Sequence, residues 1–285
     1  MKISTLFSLG KLKPSWQISA DNTLWRLMFS HNGLIVGEDR NIENKSVTFF
    51  CVDAKNGQYL WKEKQFSEQW WIGAEGISEN KLFLHGFQKP DMPEHKGIIC
   101  VDLLTGIEQW RNNNSALCAV QSPFVYGSRD LFARTVFDEL DETTGVFIRE
   151  LEELPSNVNT NITLEKNDFR FAEQSYSKDE SVEMYVAQVF PIERNRIKCT
   201  ESIHLEEYVV FNIHAVNPIP DENGQETLTN TLYVFNSRTG KKIFSDILNQ
   251  HTPYPAPDSF FVDRSTLYCI KERKIFMAIE LRKNS

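Results

Sequence analysis

The stretch CVDAKNGQYLW, residues 51–61, is followed by CVDLLTGIEQW at residues 100–110. Cys, Val, Asp, Gly and Trp recur in register, each 49 positions after its first appearance. Both copies open in an apolar run, FFCV or IICV, of residues that suit a half-buried pleated surface. Both then pass through Asp-x-x-x-Gly to an aromatic residue. The turn explains those residue types. Asp53 and Asp102 can accept backbone N–H bonds from the residues just after them, and Gly57 and Gly106 can take the positive φ that closes a hairpin. The unit is strand, tight turn, strand.

Weaker copies follow. LDETTGVFIR (140–149) keeps Asp141 and Gly145 but carries Arg149 at the tryptophan position, and FNSRTGKKIF (235–244) keeps Asn236 and Gly240 with Phe244 there. The long gap between those two predicts a further degenerate copy around YVAQVFPIERN, 185–195. A period of roughly 40–50 residues with four short strands per repeat points to propeller blades. LWRLMF, GLIVGE, VTFFCVD and QYLW make one blade, and WWIGAEGI, KLFLHGF, GIICVD and GIEQW make the next. At the C-terminus SFFVD, TLYCIK and KIFMAIEL give three strands. The fourth is expected from KPSWQIS (13–19), where Trp16 lies a blade-length before Trp61. The expected fold is therefore all-β, a single propeller domain over 1–285 with about six four-stranded blades, five or seven being the alternatives. Its ring would be closed by the N-terminal strand, which removes free sheet edges.

VDAKNGQYLW and VDLLTGIEQW resemble the repeat of the quinoprotein-type, pyrroloquinoline-quinone-like propellers, including bacterial members of similar size. In that family an Ala-x-Asp-x-x-Thr-Gly-x-x-x-Trp stretch docks its tryptophan on the neighbouring blade. The resemblance implies that Trp61 and Trp110 staple blade to blade, with Gly57 and Thr105-Gly106 as turns, and that Gly145, Gly240, Phe244 and Trp16 hold the equivalent places. It does not extend to the quinone cofactor, because the chain has no adjacent cysteine pair.

With 41% hydrophobic residues, the chain can bury a sizeable core. A formal net charge of −8 without a basic cluster argues against nucleic acid or an anionic membrane as partner. No run approaches a membrane span, and MKISTLFSLGKLKPSW lacks the continuous apolar core of a signal peptide. Five widely spaced cysteines read as reduced and structural, which places the protein in the cytoplasm.

No catalytic, cofactor or metal residues are expected. The six histidines (His31, His85, His95, His204, His214 and His251) never fall at zinc-motif spacing and read as ordinary strand or loop histidines, the pair in HLEEYVVFNIH included. The acidic run 137–154 reads as a solvated edge, and no nucleophile elbow is present. The longest insertions, 38–46, 88–97 and 217–230, all fall between second and third strands, on the face that also carries the links 66–71 and 251–257. Trp70, Trp71, His95, Asp221 and Glu222 are the candidate binding residues of that face. One of the adjacent tryptophans is expected in the core and the other in solvent. The leading expectation is a non-catalytic scaffold for a protein or peptide partner. The alternative is a binder of small ligands or carbohydrates, or an enzyme, with an axial pocket near Trp25, Arg26, Arg170 and Glu173.

Overall fold

In the computed structural model of the protein, residues 12–87, 94–158, 169–175 and 180–281 are described. The chain divides into two compact units, Ala20–Asn167 and a second made of Met1–Ser19 with Asp168–Ser285. Strand β1 (Trp16–Ser19) belongs to the second.

The unit Ala20–Asn167 contains three four-stranded antiparallel meanders, the blade pattern expected from the repeat. The first is β2 (Thr23–Phe29), β3 (Leu34–Asn41), β4 (Ser46–Asp53) and β5 (Tyr59–Lys64). The second is β6 (Ile72–Ser78), β7 (Lys81–Phe87), β8 (His95–Asp102) and β9 (Glu108–Asn112). The third is β10 (Ala116–Gln121), β11 (Phe124–Asp130), β12 (Thr135–Asp141) and β13 (Phe147–Leu151). A single parallel bridge, Ala116 to Gly97, joins the second sheet to the third.

The repeated turn forms as its residues dictate. Gly57, Gly106 and Gly145 each donate their N–H to the carbonyl of the aspartate four residues back, at 2.8 Å, with φ between +67° and +69°. Asp102 and Asp141 also accept the N–H and the hydroxyl of Thr105 and Thr144. The tryptophans then cross to the next sheet. Trp61 Nε1 donates to Leu103 O at 2.8 Å, and Trp110 Nε1 donates to Glu142 O at 3.0 Å. Each indole lies on the glycine of the next turn. A Cβ on Gly106 would come within 2.7 Å of Trp61, and one on Gly145 within 2.4 Å of Trp110. Arg149 makes no such staple. It pairs with buried Glu139 at 3.0 Å on its own sheet.

The acidic run is a solvated edge only in its second half, where Glu150, Glu152 and Glu153 are exposed. In the first half Asp138, Glu139 and Glu142 are buried, and each is held by a cation: Arg129 at 2.6 Å, Arg149, and Lys81 at 3.1 Å. Burial alone would raise the Asp138 carboxyl, but the Arg129 and Ser115 hydrogen bonds outweigh it and hold the group below its usual value.

In the second unit, β14 (Phe169–Phe171) and β15 (Glu173–Ser175) precede helix α1 (Glu183–Val189). Strands β16 (Ile197–His204), β17 (Tyr208–Val216), β18 (Leu228–Asn236) and β19 (Lys242–Thr252) form a meander with β15 on its edge. The last three strands are β20 (Phe260–Asp263), β21 (Thr266–Lys271) and β22 (Ile275–Glu280). They pair in the order β1, β22, β21, β20, β14. The N-terminal strand thus lies against the C-terminal one, with Trp16 opposite Ala278 and its ring packed on Phe276 and Tyr268. Gly240 repeats the turn geometry, with φ +63° and its N–H on Asn236 O, but nothing lies within 4 Å of where a Cβ would sit. Phe244 is partly buried against the apolar core that the sheets of this unit share.

The degenerate copy expected at 185–195 is absent. That stretch is helix α1 followed by a 3-10 turn at Arg194–Arg196. Spacing between repeats pointed to a strand, whereas Val182, Tyr185, Val186 and Val189 recur at helical intervals and bury that face against Phe211 and Phe235. Five blade-like sheets are present among the described residues.

Candidate functional site

One irregularity recurs where the first strand of a sheet pairs with the second. The register shifts at Trp25 in β2, Glu75 in β6, Cys118 in β10 and Lys198 in β16. A bulge leaves one residue out of the ladder and re-aims its side chain. In the first two sheets the re-aimed residues are an exposed indole and a half-buried carboxylate, both beside one recess of 220 Å³.

Trp25, Trp70, Trp71 and Phe87 wall this recess. Arg40 lies at its floor and is 8% exposed, with its guanidinium 5.7 Å from the Trp25 ring and 5.3 Å from the Trp70 ring. The guanidinium is fully engaged. Its Nε donates to Glu38 at 2.9 Å, and its terminal nitrogens donate to the carbonyls of Trp70 and Ile72. Glu38 is 1% exposed and uses its other oxygen to accept the Ala74 N–H at 2.7 Å. Arg26 donates to the Ala74 carbonyl.

His85, His95 and Glu75 complete the floor and rim. The two imidazoles stack at 3.5 Å with a 9° tilt, and Glu75 Oε2 lies 2.5 Å from His85 Nδ1 and 2.9 Å from His95 Nδ1. Glu75 Oε2 is thus shared between the two rings, and it is the polar atom that meets the buried His85 Nδ1. Burial alone would raise the Glu75 carboxyl, but its contacts with the two imidazoles outweigh it and bring the group to about 2. Burial pulls the His85 imidazole below its ordinary value, and Glu75 offsets only part of that.

Of the residues picked out from sequence, Trp70, Trp71 and His95 meet at this recess, and Trp25 and Arg26 join them. Neither adjacent tryptophan is core. Both are half-buried, because they lie in the turn before β6, where Glu68 Oε1 accepts both backbone N–H groups at 2.9 Å and strand alternation does not operate. Asp221 and Glu222 are in the second unit. There Asp221 is spent on its own turn, accepting the N–H groups of Asn223 and Gln225, while Glu222 is exposed. Arg170 and Glu173 line a polar cleft of 730 Å³ in that unit. The insertion 38–46 is mostly strand, with a turn at 42–45; of 88–97, residues 88–93 lie outside the described residues.

His204 and His214 do not meet. His204 pairs opposite Val209, whereas fully buried His214 bonds to Glu201 at 3.1 Å. Sequence spacing did not reveal Glu75 or the partnership of His85 with His95, which rests on the β7–β8 pairing. All five cysteines are free. Burial pushes the Cys51 and Cys100 thiols to about 12 and Cys118 and Cys199 to about 11, so none is poised as a nucleophile.

A family model described as "Domain of unknown function (DUF4905)" matches residues 29–110, which span the strands that build the recess. No curated protein matches. Among solved structures the chain is similar to a member of the duf4221 family from Bacteroides vulgatus ATCC 8482, at 10% identity over 96% of this chain and 99% of that one, with a TM-score of 0.35. It is also similar to the β-propeller domain of the Trilobed protease from Pyrococcus furiosus, at 14% identity, 88% and 64% coverage and a TM-score of 0.32. A third similarity is to the quinohemoprotein alcohol dehydrogenase ADHIIG from Pseudomonas putida HK5, at 11% identity, 84% and 44% coverage and a TM-score of 0.31. The chain thus spans less than half of that dehydrogenase. Among the described residues no helix is long and apolar enough to cross a membrane.

Proposed function

We propose that the protein is a binding propeller of the quinoprotein repeat type. In this reading the unit Ala20–Asn167 holds a small ligand with a flat apolar face and an anionic edge in the Trp25–Trp70–Phe87 recess. The observation that carries it is a concave, aromatic-walled site in which Arg40 is fixed between two indole rings and Arg26 stands on the lining with its side chain 45% exposed. The rings suit the flat faces of aromatic carboxylates and sugar acids, and Arg26, rather than the Arg40 already neutralised by Glu38, meets their charge. The five free cysteines support a reducing compartment, the cytoplasm.

The test is a thermal-shift screen of such acids against the wild type and Trp25→Ala. Trp25 is 55% exposed and stands out of the ladder, so its loss leaves the fold and the unliganded melting temperature nearly unchanged. A ligand at 100 times its Kd adds about 2.7 kcal/mol. That gain is expected in the wild type and absent in Trp25→Ala; an equal gain in both would overturn the assignment.

A second reading, a platform for a protein or peptide partner, is favoured by apolar side chains standing in solvent on loops: Ile42 in the β3–β4 turn, and Ile219 and Tyr254 on loops of the second unit. Replacing 218–226 with a short turn is expected to abolish partner capture in a pull-down while keeping the circular dichroism spectrum. Undiminished capture would exclude that loop.

A further inference from the structure

We propose that Glu75, His85 and His95 form a binding site for a divalent transition metal of the zinc and cobalt type, opening onto the aromatic recess. The three donors come from adjacent strands of one sheet. Glu75 is the bulged residue of β6, His85 lies where β7 shifts register against β8, and His95 is the first residue of β8. One carboxylate oxygen and two imidazole nitrogens are borderline donors suited to this metal class, and three protein ligands leave a position for a fourth. The donor atoms of a tetrahedral zinc site sit roughly 3–3.5 Å apart, and the three here already lie within 4.8 Å of one another.

The burial of the cluster points to a ligand. His85 is only 3% exposed, its Nδ1 meets Glu75 Oε2 at 2.5 Å, and that one oxygen also serves His95 Nδ1 at 2.9 Å. A carboxylate oxygen shared by two imidazoles is a donor set that a cation held between them satisfies. No Lys or Arg is paired with the carboxylate among the described residues. Among the described residues Glu75 forms ion pairs only with these two histidines, while Arg40 is committed to Glu38 and backbone carbonyls. Gly73 beneath His85 gives the ring its room, since a Cβ there would come within 3.0 Å of it.

A metal lies in the plane of each imidazole that binds it, so two stacked rings cannot both ligate without one turning. His95 is the ring that turns. Its side chain is 35% exposed, whereas that of His85 is fixed by burial. The open coordination position then faces the recess, where a bound anion would complete it. This last point rests on the ligand reading above; the three-residue site does not.

The full-length protein, stripped with a chelator, is titrated with Co²⁺ and followed by its visible absorption, and Zn²⁺ is measured by equilibrium dialysis. One equivalent per chain is expected. His95→Ala and Glu75→Gln are expected to lose at least tenfold in affinity with unchanged circular dichroism, while His251→Ala binds as the wild type. Absence of stoichiometric metal, or equal affinity in His95→Ala and Glu75→Gln, overturns the site. The two readings fail separately. Metal bound while no acid shifts the melting temperature sinks only the ligand proposal, and an acid that shifts it in a protein that takes up no stoichiometric metal sinks only this one.

Discussion

Trp110→Ala is expected to destabilise the protein by about 3–5 kcal/mol, the range for deleting a large buried aromatic. The indole is 8% exposed, it covers Gly145, and its N–H satisfies the carbonyl of Glu142. Removing it opens a cavity between two sheets and leaves that carbonyl unmatched. Gly145→Ala attacks the same contact from the other side, adding a methyl 2.4 Å from the indole at a residue with φ +69°. The backbone strain alone costs about 1–2 kcal/mol, and overpacking adds about 1–3 kcal/mol. The double variant is expected to cost less than the sum of the singles, because the methyl then enters the space the indole left. Gly240→Ala is the control. Its φ is +63° but its surroundings are open, so only the strain should register. Urea denaturation of the four variants decides the matter. If Gly240→Ala and Gly145→Ala cost the same, the tryptophan does not staple the turn.

The second large effect belongs to Arg40. Arg40→Met keeps most of the apolar stem and removes the charge, leaving Glu38 buried with the Ala74 N–H and only the more distant Arg26, at 4.0 Å, and depriving the Trp70 and Ile72 carbonyls of a donor. Breaking a buried pair on one side costs about 3–5 kcal/mol. Pairing Arg40→Met with Glu38→Gln should recover part of that, since no uncompensated charge remains. Because Arg40 ties the turn carrying Trp70 to β3, the single variant should also increase the accessibility of Trp70 to a fluorescence quencher. A loss below about 1 kcal/mol with unchanged quenching would show that the guanidinium neither neutralises Glu38 nor holds the turn.

The parts of this protein that are legible in its sequence are those made by neighbours along the chain. Asp53 to Gly57 and Asp102 to Gly106 close their turns with bonds four residues apart, so a short string suffices to specify them. Tryptophan at the end of that string marks the docking residue for the same reason. The pairing of β1 with β22 was readable only by counting strands and finding one missing. Around residue 185 the distance between repeats points to a strand, whereas the segment's own helical period decides its structure. Burial of Asp138 and Glu139 could not be seen, since their partners Arg129 and Arg149 lie on neighbouring strands. The cluster of Glu75, His85 and His95 was hidden most completely. His85 and His95 are ten positions apart, and what unites them with Glu75 is a pair of register shifts that leave no trace in composition or period.

Those register shifts carry a consequence for what the frame can present. Trp25, Glu75, Cys118 and Lys198 hold equivalent places in their pairings, yet they share no chemistry. A residue outside the ladder aims its side chain independently of the alternation around it. Matching positions on a rigid scaffold therefore offer an indole, a carboxylate, a thiol and an ammonium, while the hydrogen bonds on either side stay as they are.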